Sequence, residues 1–183
     1  MIIKSFEADK LKSSTSNFHL IYGNNDGIKD DIIKDVYLKN FNGELLKYEE
    51  QDVLGNKDEF ISSLLNKSLF EKEKIIIISR VTEKLYDLIS ELIERDISQT
   101  KLIIKSSNLE KKSKLRNKFE KEKQLNCTPV YEDDTRSLNY VIQNFLRESK
   151  LNLSQEIKNI LIERSSGDRI NLKNELSKLK NLS

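Results

Sequence analysis

The chain has 183 residues, 37% hydrophobic and 34% charged, with 32 Lys and Arg against 30 Asp and Glu for a formal charge of +2. That length holds one ordinary domain, or one domain and a small appendage. The charge balance excludes a histone-like polycation, so any nucleic-acid surface must be local. The lone Cys127 excludes an internal disulfide and a cysteine-rich zinc site. The lone His19 excludes a histidine-rich metal centre and makes any Ser-His-Asp triad depend on that one ring. No apolar run approaches the ~18 residues of a membrane span. The segment Met-Ile-Ile-Lys-Ser-Phe-Glu lacks the long apolar core of a secretory signal, so a cytoplasmic protein is expected.

Strand-like runs alternate with helical segments. Phe18–Tyr22 reads as a first strand closed by Gly23. The spacing of Ile28, Ile32, Ile33 and Val36 predicts a helix over 27–40, with Asp26 placed to cap it and Asp30 and Asp31 suited to its positive end. Glu44–Glu49 is a weaker strand, and Asn56–Leu65 an amphipathic helix using Phe60, Ile61, Leu64 and Leu65. The strongest strand is Lys74–Ser79, whose four consecutive isoleucines suit a central strand covered on both faces. A helix over 82–95 capped by Thr82, a strand over 101–105, a highly charged helix over 110–123 and a short strand over 127–131 follow. Beyond Asp134 the pattern is purely helical, over about 134–149, 153–166 and 168–182, with Ser154 opening the second helix. Five strands separated by helices predict a parallel α/β sheet with helices on both faces, then a small helical domain.

In such folds anions bind where the first strand meets the first helix. The junction here is Gly23-Asn24-Asn25-Asp26-Gly27-Ile28-Lys29-Asp30. Against the phosphate-loop pattern G-x-x-x-x-G-K-[ST], Gly23 and Lys29 fit. Ile28 stands where the second glycine belongs, and Asp30 replaces the magnesium-binding hydroxyl. Three nearby aspartates repel a triphosphate. The isoleucine strand ends in Ser79-Arg80 rather than in an acid that could hold the metal. Two independent losses argue against ATP hydrolysis. Gly23 and Gly27 equally suit an ordinary strand-to-helix turn. Other catalytic constellations are thin. The adjacent acids Glu49-Glu50 and Asp133-Asp134 read as solvated surface, His19 as a packed imidazole and Cys127 as a small buried apolar group.

A set of landmarks resembles one family, the delta subunits of the bacterial DNA polymerase III clamp loader. They are Phe18 through Gly27, Ser68-Leu69-Phe70 before the isoleucine strand, Asp133 through Leu138 at the hand-over into helices, and Ser166-Gly167-Asp168-Arg169 leading to Leu172, Glu175, Leu176 and Leu179. Their order and spacing run along the whole chain. The resemblance implies an AAA+-like (RecA-like) five-stranded parallel sheet over 1–133 with a degenerate phosphate loop, and a helical lid over 134–183. The resemblance also implies that the family's C-terminal collar domain is absent from this sequence.

Members of the family belong to the polymerase III holoenzyme, a DNA-directed DNA polymerase, but are not ATPases themselves. They bind the sliding clamp (the beta subunit) and help to open it for loading onto primed DNA during replication. ATP is handled by sister subunits. The resemblance thus implies no catalytic residue, no cofactor and no metal. It implies partners in the clamp and the gamma/tau and delta-prime subunits, an indirect link to primed DNA, and no membrane. Leu69 and Phe70, with Ser68, match the hydrophobic pair the family inserts into a clamp pocket. Leu65 stands where the family has a polar residue, and the pair could instead close the core. ATP-using relatives carry an arginine three residues after the lid glycine. Here Ile170 holds that place and Arg169 is one step early.

Two other classes remain open. One is a divergent phosphate-loop ATPase using Lys29. The other is a nucleic-acid module working through the lysine-rich stretch 110–123, where Lys111, Lys112, Lys114 and Arg116 could meet phosphates. A solvated helix face explains the same residues.

Overall fold

A computed structural model describes residues 1–65, 73–95, 97 and 99–182. It contains a five-stranded parallel sheet built from β1 (Phe18–Tyr22), β2 (Glu44–Glu49), β3 (Lys74–Val81), β4 (Thr100–Ser106) and β5 (Asn126–Pro129), in the order β2-β3-β4-β1-β5. The helices are α1 (Asp26–Ile32), α2 (Glu50–Gly55), α3 (Lys57–Leu65), α4 (Tyr86–Ile93), α5 (Lys114–Lys121), α6 (Thr135–Ser149), α7 (Gln155–Arg164) and α8 (Arg169–Leu182). A 3₁₀ segment over Ser5–Ser13 precedes β1, and α1 runs on into a π-helical segment over Ile33–Leu38. The chain divides into two compact units. One comprises residues 1–24 and 31–130, the other residues 25–30 with 131–183.

The first unit is organised by β-branched strands buried on both faces, as a central parallel sheet requires. Leu20 stands opposite Ile104, and Ile104 opposite Ile78, so one register row crosses three strands. These residues share a core with Val53, Phe60, Leu88, Ile89, Leu92, Leu115 and Phe119, which places α2 to α5 over this face. Alternation turns His19, Ile21, Ile75, Ile77 and Ile103 to the opposite face, and all five are buried there. The Tyr37 hydroxyl meets the His19 ring at 2.8 Å, so the π-helical segment lies on that side. Helices therefore cover both faces of the sheet.

The edge strand β2 exposes Glu44 and Glu49. At the other edge, Cys127 N–H donates to the Met1 carbonyl at 2.9 Å and Ile3 N–H donates to the Cys127 carbonyl at 2.8 Å. The free backbone of β5 is thereby paired rather than left as a template for another chain.

The strand rhythm of the sequence is present with shifted ends. Two short elements have no clear periodic signal, the 3₁₀ segment and α2. The predicted helix over 27–40 is α1 followed by π-helix, and Asn25 rather than Asp26 caps it, its Oδ1 accepting from Ile28 N–H at 2.9 Å. Thr82 does cap the following turn, accepting from Lys84 N–H at 3.3 Å.

The second unit has its own core. Leu138, Val141 and Ile142 of α6 pack with Leu161 of α7 and Leu172 and Leu176 of α8. Its helix starts are chemically marked. Asp134 accepts from Ser137 N–H at 2.7 Å while the Ser137 hydroxyl accepts from Asp134 N–H at 3.0 Å, a reciprocal capping box. Ser154 accepts from Ile157 N–H at 3.3 Å. Asp168 accepts from Asn171 N–H at 2.7 Å, opening α8.

Candidate functional site: the first turn of α1 and its occupants

The start of α1 is where an α/β fold offers backbone amides to an anion. Gly23, ending β1, has φ +132°, and a Cβ there would lie 2.0 Å from the Val130 carbonyl oxygen, so only glycine fits. Asn25–Asp30 belong to the helical unit, and other residues of that unit occupy this first turn. A Cβ on Gly27 would stand 3.0 Å from Arg169 Cβ and 3.2 Å from its Cγ and Cδ. The aliphatic stem of Arg169 thus lies directly on the helix start.

The Arg169 guanidinium is itself engaged. Nε donates to Asp133 Oδ2 at 2.9 Å and Nη2 to Oδ1 at 2.5 Å, the bidentate fork that arginine geometry favours. Asn25 Nδ2 adds a third donor to the same carboxylate at 2.7 Å. The Asp133 side chain has no exposed surface. Burial alone would raise its pKa, but hydrogen bonds from Arg169, Ser137 and Asn25 outweigh that and hold the carboxyl below its ordinary value. Lys29, the phosphate-loop lysine by position, has a buried side chain and pairs with Asp26 Oδ1 at 2.7 Å. Both cations near the turn are already matched by acids of the chain. The arrangement is a self-contained polar cluster: an internal carboxylate and an arginine stem stand over the helix start.

Two readings of adjacent acids need correction. Asp133 is enclosed, not solvated, because its partner Arg169 arrives from 36 residues away. Glu50 is buried as well. Its Oε1 accepts from Thr82 N–H at 2.7 Å and from the Thr82 hydroxyl at 2.9 Å, which ties α2 to the end of β3. Of the four acids, only Glu49 and Asp134 are exposed. No local pattern announces either buried acid. The Gly167-Asp168-Arg169 run marks the right helix start but not the partner.

His19 is a packed imidazole. Its Nε2 meets the Thr128 hydroxyl and its Nδ1 the Tyr37 hydroxyl, each at 2.8 Å. Burial drives its pKa down to about 3, so the ring is neutral. Burial also pushes the Cys127 thiol up to about 12, which makes it an inert apolar group. Among the described residues no cluster of acids, His19 and Cys127 forms a metal site, and no helix is long and apolar enough to cross a membrane.

The lysine-rich stretch is largely engaged. Lys111 and Lys112 stand in a turn before α5, and Lys112 pairs with Glu110 at 3.0 Å. Lys114 lies 5.8 Å from the Tyr86 ring centre. Arg116 donates to Glu120 at 2.8 Å and to the Leu109 carbonyl at 3.0 Å, and sits over the Tyr22 ring. Arg116 is thus a packing residue rather than a free phosphate ligand. Glu83 receives the Ser113 hydroxyl and Lys114 N–H, closing the start of α5. Ser68, Leu69 and Phe70 lie outside the described residues.

The sheet order and the flanking helices define an α/β fold of the AAA+ type, and solved structures share it. The Bacillus subtilis DNA clamp loader delta protein superposes with a TM-score of 0.61 at 14% identity, covering 97% of this chain and 56% of that one. Domain III of the Thermotoga maritima replication initiation protein DnaA gives 0.53 at 15% identity, over 96% of this chain and 80% of that one. A replication initiator DnaA bound to AMPPCP and single-stranded DNA gives 0.60 at 12%, over 96% and 60%. The chain therefore spans little more than half the length of the clamp loader protein it resembles in shape. No family model matches the sequence. No curated protein matches it either.

Proposed function

We propose that the chain is a non-catalytic replication subunit of the clamp-loader delta type, which binds a ring-shaped sliding clamp and favours its open form. In this reading residues 1–133 are the AAA+-like body, 134–183 its lid, and Ser68, Leu69 and Phe70 the plug that enters the clamp. Its further partners are the other loader subunits, and it acts in the cytoplasm on primed DNA only through them.

One observation carries most of the weight. Arg169, Asp133 and Asn25 cover the first turn of α1, and Lys29 is turned to Asp26. A subunit that leaves ATP to its neighbours has no need of that turn as a phosphate cradle. The fold shared with a clamp loader delta protein along nearly all of this chain adds support. A divergent ATPase using Lys29 has to break the pair with Asp26 and lift the Arg169 stem, and it fits less well.

The protein can bias the clamp only by binding the open ring better than the closed one. Two large apolar side chains entering a pocket contribute ~1.5–3 kcal/mol each. The test is binding of the purified chain to its cognate clamp, beside a Leu69→Ala, Phe70→Ala variant shown to be folded. Saturable binding that weakens by about 100-fold or more in the variant supports the reading. Absence of binding by the folded wild-type chain refutes it.

A further inference from the structure

The first unit carries a cleft of about 560 Å³ at the amino ends of β3 and β4. Its size is that of a small-molecule site. We infer that this cleft binds one nucleotide unit, a base with its sugar and phosphate, and the inference is independent of the clamp reading.

The lining supplies each chemistry a nucleotide asks for. Two aromatic residues, Tyr37 and Phe41, line it beside the amides of Asn40 and Gln99 and the cations of Lys39 and Lys101, the residue types that meet a base, its edge and a phosphate. Asp35 and Glu73 also line it, and carboxylates there suit sugar hydroxyls better than phosphate. The ammonium of Lys12 adds to the same wall while pairing with Asp9 at 2.5 Å.

Both aromatic residues are held in place before any ligand arrives. The Tyr37 hydroxyl is tied to the buried His19 ring at 2.8 Å. The Phe41 ring lies over Gly43, where a Cβ would approach within 2.5 Å of its Cζ. Preorganised rings lose little entropy on binding. The wall also includes part of the π-helical segment Ile33–Leu38. Such helices are less stable than α-helix and concentrate at functional sites.

The probes are the four ribonucleoside monophosphates, inorganic phosphate and a short oligothymidine, titrated into the isotope-labelled chain and followed by NMR. The expected result is saturable shifts at Tyr37, Phe41 and Lys101 with at least one monophosphate, at a Kd below about 1 mM. A Lys39→Gln, Lys101→Gln variant with an unchanged fold by circular dichroism should weaken binding by about tenfold. Tighter binding of the oligothymidine at the same residues assigns the unit to a nucleic-acid strand, and tighter binding of a monophosphate assigns it to a free nucleotide. Either result supports the inference. It is overturned by the absence of shifts up to about 10 mM nucleotide, by equal shifts with inorganic phosphate, or by undiminished binding to the variant.

Discussion

Asp133 concentrates more of the chemistry than any other side chain described, and its protonation is coupled to folding. The carboxyl is held below its ordinary value of 3.8 in the folded state. Its stabilising contribution is therefore complete above that value and is lost as pH falls through the folded pKa. Asp133→Asn keeps the shape but leaves Arg169 without its counter-charge, and should cost about 3 kcal/mol near neutrality. Urea unfolding at pH 7 and at pH 3 checks this, with the gap between wild type and variant narrowing at the lower pH.

His19 behaves with a separable signature. Its folded pKa of about 3 lies below the ordinary 6.5. Stability is full above 6.5 and declines as the pH drops, because the unfolded chain binds a proton that the folded chain refuses. The slope approaches about 1.4 kcal/mol per pH unit well below 6.5. With one histidine in the chain, a titration of the urea midpoint between pH 6.5 and 5 isolates it. His19→Gln should flatten that segment. At Gly23 the expectation is steric. Gly23→Ala combines φ +132° with a 2.0 Å approach to Val130, and should lower stability by about 3 kcal/mol or more.

Among the elements, helix starts are built from local hydrogen bonds and are open to single substitutions. The reciprocal box between Asp134 and Ser137 satisfies two donors at the start of α6. Asp134→Ala should lower the thermal midpoint while leaving helix content unchanged. Such caps, like Thr82 and Ser154, are legible in sequence because every partner lies within three residues. The π-helical segment is not legible. Its i→i+5 bonds leave the residue pattern of an ordinary helix, and it is stabilised in part by the Tyr37 contact with a histidine 18 positions earlier. Strand ends shifted for a similar reason. Arg80 adopts φ +58° where the register breaks between Ile78 and Val81, a local irregularity that hydrophobic runs do not encode.

At the scale of the molecule, two cores divide the work. Strands β1, β3 and β4 are buried on both faces, whereas Leu161 is the buried residue of α7. Hydrogen exchange should therefore be slowest in the centres of those strands and fast along α7, since protection follows burial and the cost of local opening. The reverse order would mean that the sheet is not the stable nucleus of the chain.

The sequence by itself determined the number of strands, their alternation with helices, the helical tail and the losses in the phosphate loop. Those features rest on periodicity and on neighbours a few residues apart, where composition and geometry are directly coupled. Tertiary structure alone decided the strand order, the joining of residues 25–30 to the helical unit, and the burial of Glu50 and Asp133. Each depends on partners brought together across 30 residues or more. An acid next to another acid looks solvated until the fold supplies an arginine or a backbone amide at hydrogen-bonding distance.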